Sequence, residues 1–221
     1  MMLSAAIEAV IFDMDGVLLI SQPVHQVAYQ ETFESVGIAQ YDYPSIAGRR
    51  TDEAIVAVLT VNGIEPEAQR VAALVEIKRD KAHQRLRAQP PLADRCAATL
   101  QELARQRKLA LASSAGPANI ELFLEASGTR DLFTAVLQGD DVAAAKPAPD
   151  IYLAALQRLG VQADQAIVIE DAISGIQAAR SAGIEVIAVS GTCSRDELAR
   201  QDVCAVIDTI GELVDGSAAH S

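Results

Sequence analysis

Short, uninterrupted runs of apolar, β-favouring residues recur along this chain, with amphipathic stretches between most of them. Runs that stay apolar at every position, rather than at alternate ones, are typical of strands covered on both faces. Strand and helix patterns that alternate in this way predict an α/β fold with a doubly wound, mostly parallel sheet. We predict strands at 9–12, 109–112, 135–137, 166–169, 185–189 and 204–207, and helices at 94–107, 117–127, 149–160 and 172–182.

The interval from 20 to 90 interrupts this alternation, because it contains no convincing strand. Its apolar residues follow helical spacing instead, and Pro90-Pro91 closes it stiffly. We therefore predict an α-helical cap domain at 20–90, inserted into a core formed by 1–19 and 91–221. Its helices are predicted near 23–36, 51–61 and 66–88.

The net charge narrows the range of partners. It is 18 Lys+Arg minus 30 Asp+Glu, or −12, and such a field repels phosphate backbones and anionic lipid. We therefore expect no nucleic-acid and no membrane partner. We also expect a monomer or weak homodimer. The three cysteines form no CxxC pair, and the first residues lack the basic region of a signal peptide. The simplest interpretation is a reduced, cytoplasmic protein without structural metal or disulfides.

Reactive side chains stand at the predicted carboxyl ends of the strands or in the loops beyond them. Ligands of an open α/β sheet bind beyond this edge, so these side chains are expected to meet there. Their order along the chain is acid, hydroxyl, cation and acid. They are Asp13, Asp15, Ser113, Ser114, Lys146, Glu170 and Asp171.

The pair Asp13 and Asp15 has two interpretations. If a turn at Gly16 swings the second carboxylate round, one acid can attack a substrate while the other donates and accepts a proton, provided that their environments differ. Alternatively, the segment is a plain Asp-Gly turn that closes a strand. A calcium loop is disfavoured, because Val17 and Val24 stand where oxygen ligands are required.

The other acids and the serines also have structural alternatives. Glu170 and Asp171, together with Asp13, would form a cage of hard oxygen ligands that suits Mg²⁺, or Asp171 caps the following helix. Ser113 and Ser114 would hold phosphate oxygens through their hydroxyls and backbone N–H groups, or they cap a helix in the ordinary way.

Lys146 stands alone in an apolar stretch. It would neutralise an anion at the metal site, or it is an ordinary solvated lysine. A serine hydrolase is disfavoured, although Ala112-x-Ser114-x-Gly116 is a partial nucleophile elbow. The only late histidine is His220, in a small, polar tail that we expect to fray.

Taken together, these motifs resemble the haloacid dehalogenase (HAD) superfamily, and within it the β-phosphoglucomutase-like and sugar-phosphate phosphatase branch with a small helical cap. The resemblance covers about residues 8–213 and implies a Rossmann-like core and a Mg²⁺-dependent phosphatase of a small phosphorylated metabolite. The segments that carry it are FDMDGVL at 12–18, LASS at 111–114, KPAPDIY at 146–152 and IEDAISGIQAA at 169–179.

The resemblance also implies roles for the core residues. Asp13 would attack phosphorus and form an aspartyl-phosphate, and Asp15 would protonate the leaving oxygen and then activate water. Lys146 would neutralise the transferring phosphoryl group, which the Ser113-Ser114 segment would hold. The Mg²⁺ ligands would be Asp13, the Asp15 backbone carbonyl, Glu170 and Asp171. In this family the second acid distinguishes phosphatases from dehalogenases.

The candidates for substrate contact in the cap are His25, Arg49, Arg50, Lys78 and Arg79, and the first three are the predicted substrate residues. His25 matches a histidine common in this branch, near the leaving group, and AGRRT at 47–51 resembles the cap loop that points into the cleft. A histidine on a helix surface and a solvated basic turn remain alternatives. Lys78 and Arg79 are predicted to lie on a solvated helix face.

Two departures from the family pattern bear on the substrate. Ile20 and Gln22 replace acids that many members carry near the hinge, and Thr51 stands where the mutases have an arginine for the distal phosphate. The missing acids bear on substrate choice and hinge behaviour rather than on the phosphoryl machinery. The replacement of the arginine by Thr51 favours a phosphatase over a phosphomutase, with Arg49 and Arg50 as alternative cations for a distal phosphate. A non-catalytic binding protein on the same fold is the remaining alternative.

Overall fold

All six predicted strands form, and they lie side by side in one parallel sheet. The computed structural model of the chain describes residues 3–47 and 49–215. Its strands are β1 (Ala9–Phe12), β2 (Lys108–Ala112), β3 (Phe133–Leu137), β4 (Ala166–Glu170), β5 (Glu185–Val189) and β6 (Ala205–Ile207). Their order is β3-β2-β1-β4-β5-β6, so the chain starts in the middle, fills one half and then the other. This is the doubly wound, Rossmann-like arrangement, and its binding crevice lies at the carboxyl ends of β1 and its neighbours.

The helices follow the predicted ones closely, with most ends shifted by one to three residues. The exception is α8, which the sequence pattern did not predict because its five residues are too few to show helical spacing. Within residues 3–47 and 49–215, no helix combines the length and the apolar character that crossing a bilayer requires. The helices are α1 (Gln22–Glu34), α2 (Thr51–Val61), α3 (Ala68–Ala88), α4 (Cys96–Ala104), α5 (Pro117–Ser127), α6 (Asp150–Leu159), α7 (Ile173–Ser181) and α8 (Arg195–Ala199).

The sheet is covered on both faces, which explains why its strands are apolar at every position. Along β1, Val10 and Phe12 face one apolar cluster, to which α4 and α5 contribute. Ala9 and Ile11 face a second cluster, to which α6 and α7 contribute. The central strand is therefore fully buried, and its carboxyl end is held rigidly for the residues that follow it.

Helices α1–α3, the cap helices, have an apolar cluster of their own that includes Phe33, Ile55 and Leu74. The two chain connections between these helices and the sheet run side by side: the Ile20 N–H donates to the Pro91 carbonyl (2.7 Å) and the Ala93 N–H donates to the Leu18 carbonyl (2.9 Å). A separate apolar cluster with adjacent entry and exit is what an inserted domain requires. We propose that residues 20–90 form such a domain, with a hinge at these two connections.

Candidate active site

The loop after β1 contains a tight Asp-Gly turn. The Asp13 N–H donates to the Ile169 carbonyl (3.0 Å), which continues the sheet. The chain then turns, with the Gly16 N–H on the Leu19 carbonyl (2.7 Å) and Gly16 at φ +86°. A Cβ at Gly16 would overlap the Asp171 carboxylate, so only glycine fits. The Asp-Gly turn is present, and it directs Asp15 away from Asp13.

Lys146 is buried among these acids. Its Nζ donates to Asp13 Oδ1 (2.6 Å), Glu170 Oε1 (2.8 Å) and the Ala112 carbonyl (3.2 Å). Only 3% of Lys146 is exposed, so it is not the solvated lysine that the sequence left as an alternative. Burial alone would lower the pKa of Lys146, but the carboxylates of Asp13 and Glu170 raise it well above its ordinary value. The lysine therefore stays charged.

Each oxygen of the Glu170 carboxylate accepts two hydrogen bonds. Its Oε1 accepts from Lys146 and from the Tyr152 hydroxyl (3.1 Å), and its Oε2 accepts from the backbone N–H groups of Asp171 and Ala172 (2.9 Å each). Gly175, in the first turn of α7, leaves the space that this carboxylate fills, because a Cβ there would overlap it. Glu170 is thus fixed by the start of α7 and fixes Lys146 in turn.

Asp13, Glu170 and Asp171 form a buried cluster of oxygen ligands. One carboxylate oxygen from each lies within 4.8 Å of the others. Burial raises the pKa of Asp13 to about 7, with Glu170 adding to the effect and Lys146 opposing it. Burial, Glu170 and Asp13 raise the pKa of Asp171 well above its ordinary value. One ammonium does not balance three carboxylates, so the cluster fits a hard cation such as Mg²⁺.

Asp15 faces a different network, supplied by the cap. Its Oδ1 accepts from the Ser21 hydroxyl and from His25 Nε2 (3.0 Å), and His25 Nδ1 lies 3.2 Å from Lys78 Nζ. An ammonium can only donate, so His25 carries its proton on Nε2 and passes a hydrogen bond to Asp15. The pKa of Asp15 would be raised by burial alone, but His25, Ser21 and Lys78 together hold it below its ordinary value.

The prediction that Lys78 lies on a solvated helix face is wrong. Only 7% of Lys78 is exposed, because it reaches inward from α3 and lies over the Tyr29 ring, 4.5 Å from its centroid. Burial lowers its pKa to about 8. Arg79, the next residue, is half-exposed and pairs with Glu76 (3.6 Å). It also lines the cleft, which is the cavity at the strand ends that Asp13, Asp15 and Lys146 line as well.

Ser113 and Ser114 both line the cleft. Ser113 is buried, its N–H donates to the Leu137 carbonyl (3.1 Å) and its Oγ accepts from the Ala115 N–H (3.0 Å). The N-cap of α5 is Gly116, so neither serine caps that helix. The Ser113 hydroxyl proton stays available to an anion. His220, on which the argument against a serine hydrolase rested, lies outside the described residues.

The two cap-loop arginines differ in position. Arg49 lines the cleft, whereas Arg50 is not among the cleft-lining residues of the described chain. Its guanidinium pairs instead with Asp52 (3.4 Å) and reaches Asp140 of the core (4.0 Å). The structure thus brings His25 and Arg49 into the cleft and leaves Arg50 at its margin.

Three polar side chains that were not predicted hold the acids of the site. Ser21 holds Asp15, the Thr192 hydroxyl donates to Asp171 Oδ2, and the Tyr152 hydroxyl holds Glu170. Thr192 follows β5, so inspecting every strand end for hydroxyls would have found it. No local pattern singles out Ser21 or Tyr152, because Ser21 is a lone hydroxyl six residues after Asp15 and the partner of Tyr152 lies 18 residues further along the chain.

A parallel sheet whose central strand is followed by two acids, with a buried lysine and two more acids beside the first of them, is the arrangement of a Rossmann-like hydrolase. Residues 10–189 match the family model described as haloacid dehalogenase-like hydrolase. The chain belongs to this family.

Two curated relatives illustrate the range of similar proteins. The fructose-1-phosphate phosphatase YqaB of Escherichia coli (strain K12) is 35% identical over 185 residues, which cover 81% of this chain and 94% of that protein. The chloroplastic protein SUPPRESSOR OF QUENCHING 1 of Arabidopsis thaliana is 33% identical over 217 residues, but the chain spans only 20% of its length. Relatives named as phosphatases are consistent with a phosphoric monoester hydrolase.

A solved structure resembles the whole fold. It is a CbbY variant from Rhodobacter sphaeroides in complex with xylulose 1,5-bisphosphate, with a TM-score of 0.79 and 30% identity. The match covers 94% of this chain and 96% of that one. The similarity therefore includes the cap helices as well as the sheet.

Proposed function

We propose that this protein is a Mg²⁺-dependent phosphatase that hydrolyses a small phosphorylated metabolite, a sugar phosphate in the first instance, through an aspartyl-phosphate on Asp13. The observation that carries the proposal is the buried bridge of Lys146 between Asp13 and Glu170, with Asp15 on a separate network. Phosphoryl transfer needs alignment and charge neutralisation more than covalent help from the protein, and this bridge supplies both.

In the first step, Asp13 forms a bond to phosphorus as the ester P–O bond breaks. Asp13 Oδ1 accepts a hydrogen bond from Lys146. Asp13 Oδ2 has no hydrogen-bond partner within the described residues, so Oδ2 is the attacking oxygen. The Ser113 hydroxyl and the backbone that follows it hold phosphoryl oxygens. In the second step, water attacks phosphorus, the bond between phosphorus and Asp13 Oδ2 breaks, and inorganic phosphate leaves as Asp13 becomes a carboxylate again.

Asp15 moves the protons of both steps. Its Oδ1 is held by Ser21 and His25, which leaves Oδ2 for the substrate. The negative phosphate that enters the cleft raises the pKa of Asp15, so that it can give a proton to the leaving oxygen. As a carboxylate it then takes a proton from the attacking water. His25 and Lys78 come from cap helices, so the hydrogen bonding and the pKa of Asp15 depend on the position of the cap.

The ligands that we propose for Mg²⁺ are Asp13, Asp171 and the Asp15 backbone carbonyl, with Glu170 completing the site. Both oxygens of Glu170 already accept two hydrogen bonds, so Glu170 serves the metal chiefly by holding Lys146. When bound, a divalent cation lowers the pKa of Asp13 and neutralises charge on the phosphate.

Removal of divalent metal is expected to lower phosphatase activity at least tenfold, because it leaves the carboxylates unbalanced. EDTA treatment followed by assay of p-nitrophenyl phosphate hydrolysis measures the loss, and added Mg²⁺ should restore the rate. Mg²⁺ should also raise the unfolding temperature of the metal-free protein, since ligands of the native state stabilise it. Full activity in excess EDTA would contradict the proposed cofactor.

Gly175→Ala is expected to lower activity about 10²-fold, on the scale of a misplaced catalytic group. The new methyl group displaces the Glu170 carboxylate, and Lys146 loses one of its two acidic partners. Alanine otherwise suits a helix better than glycine by about 1 kcal/mol, so we expect a folded protein. The assay is p-nitrophenyl phosphate hydrolysis, with Ser181→Ala at the exposed end of α7 as control. Equal activity in both variants would show that Glu170 need not stay in place.

The relatives support a sugar phosphate as the substrate class. One is named a fructose-1-phosphate phosphatase, and another was solved with a sugar bisphosphate. His25 and Arg49 are the cap residues that we propose for substrate contact. For Arg50 we propose a supporting role, because it contacts Asp52 and Asp140. Cytoplasmic localisation and a monomer or weak homodimer stay predictions.

A panel of phosphorylated metabolites, with phosphate release as the readout, tests the proposal. Phosphorus NMR of the products separates the alternatives, because a phosphomutase returns isomerised phosphosugar without free phosphate. A protein that turns over no member of the panel but still binds Mg²⁺ would be a binding protein on this fold.

A further inference from the structure

Asn119 occupies a part of the cleft wall that the phosphoryl chemistry does not use. It lies in the first turn of α5, and it lines the same cleft as Ser113 and Ser114. From the opposite side, His83 of the cap helix α3 meets its side chain: His83 Nδ1 and Asn119 Oδ1 are 3.1 Å apart. This contact therefore joins the cap to the core at the edge of the substrate space.

The contact fixes which end of the Asn119 amide faces the substrate. A carbonyl oxygen can only accept, so His83 carries its proton on Nδ1 and donates it to Asn119. The amide Nδ2 is then left with its donors, and it makes no hydrogen bond within residues 3–47 and 49–215. The Asn119 amide therefore offers hydrogen-bond donors to the cleft. The guanidinium of Arg79, which is on the same helix as His83, lines the cleft too and offers further donors.

We propose that Asn119, oriented by His83, is a specificity-determining residue that donates a hydrogen bond to an acceptor oxygen of the substrate's alcohol part, a hydroxyl or carbonyl oxygen beyond the transferred phosphoryl group. This inference rests on the proposed phosphatase function. Because His83 belongs to the cap and Asn119 to the core, the amide is oriented only when the cap is closed. Closure and recognition of a polyhydroxy substrate are thereby coupled.

The test compares two kinds of ester in the holoenzyme with Mg²⁺. Fructose 1-phosphate, glucose 6-phosphate and ribose 5-phosphate carry such oxygens, and the aryl ester phenyl phosphate has no acceptor oxygen beyond the phosphoryl group. Asn119→Ala is expected to lower the ratio of kcat/KM for the preferred sugar phosphate to that for the aryl ester about tenfold, the value of one lost hydrogen bond. Asn62→Ala at the end of α2, outside the cleft, is the matched control and should leave the ratio unchanged.

His83→Phe tests the positioning role separately. It is expected to raise KM for the sugar phosphate several-fold with little change in kcat, and the double variant should lose no more than Asn119→Ala alone, because the two residues act through one amide. Additive losses, or an unchanged ratio in Asn119→Ala, would overturn the inference. So would a wild-type enzyme that hydrolyses the aryl ester but none of the three sugars. If it hydrolyses no ester at all, the proposed function itself fails.

Discussion

Asp13→Asn is expected to abolish hydrolysis of p-nitrophenyl phosphate, with a loss of about 10⁴-fold or more, on the scale seen when a hydrolase loses its nucleophile. The amide cannot form the bond to phosphorus, although its size and its contact with Lys146 are retained. The folded protein should survive the change. Burial raises the pKa of Asp13 to about 7, so its charge is disfavoured in the folded state and a neutral isostere removes that cost.

Two measurements separate chemistry from folding for this variant. Steady-state rates give the loss of activity, and thermal unfolding should give a midpoint no lower than that of the wild type. Asp164→Asn, at an exposed position between α6 and β4, makes the same chemical change outside the site and should keep full activity. Residual activity within a hundredfold of wild type would remove Asp13 from the role of nucleophile.

Lys146→Met is expected to reduce both activity and stability. Activity should fall about 10³-fold, as when a preorganised donor to a developing charge is lost. The free energy of unfolding should fall by about 3 kcal/mol, because removing one partner of a buried ion pair leaves uncompensated charge. Here the uncompensated groups are Asp13 and Glu170, which lie 2.6 Å and 2.8 Å from the ammonium.

Urea denaturation with and without Mg²⁺ refines this prediction. A bound cation offsets part of the missing charge, so the loss of stability should be smaller with Mg²⁺ than in EDTA. Lys108→Met is the matched control, because Lys108 is exposed at the opposite end of β2 and its ammonium donates to the Leu159 carbonyl (2.8 Å) rather than to an acid. A Lys146 variant that is as stable and as active as this control would show that the buried bridge has no role.

The fold was predictable because its signals are local. Continuous apolar runs identify strands buried on both faces, and β1 meets that condition with Val10 and Phe12 on one side and Ala9 and Ile11 on the other. The missed helix, α8, is too short for its spacing to register. Helix ends were displaced by a few residues, since capping and packing rather than periodicity decide where a helix stops.

The core of the site was also predictable, because a parallel sheet gathers the ends of its strands at one edge. Asp13, Ser113 and Glu170 could be brought together on that rule alone. The cap was less accessible to the same reasoning. Lys78 was assigned to a solvated face from its charged neighbours, and the structure buries it against Tyr29 and His25.

The sequence by itself determined the class of fold, the helical character of the interval after the first strand and the set of groups that we propose for phosphoryl chemistry. Only the tertiary structure decided which of those groups have partners, which oxygens remain free and which cap residues enter the cleft. Periodicity is set by residues a few positions apart, whereas Lys146 meets Asp13 across 133 residues and Lys78 meets His25 across 53. Contacts of that range depend on how whole elements pack, and packing leaves no regular trace along the chain.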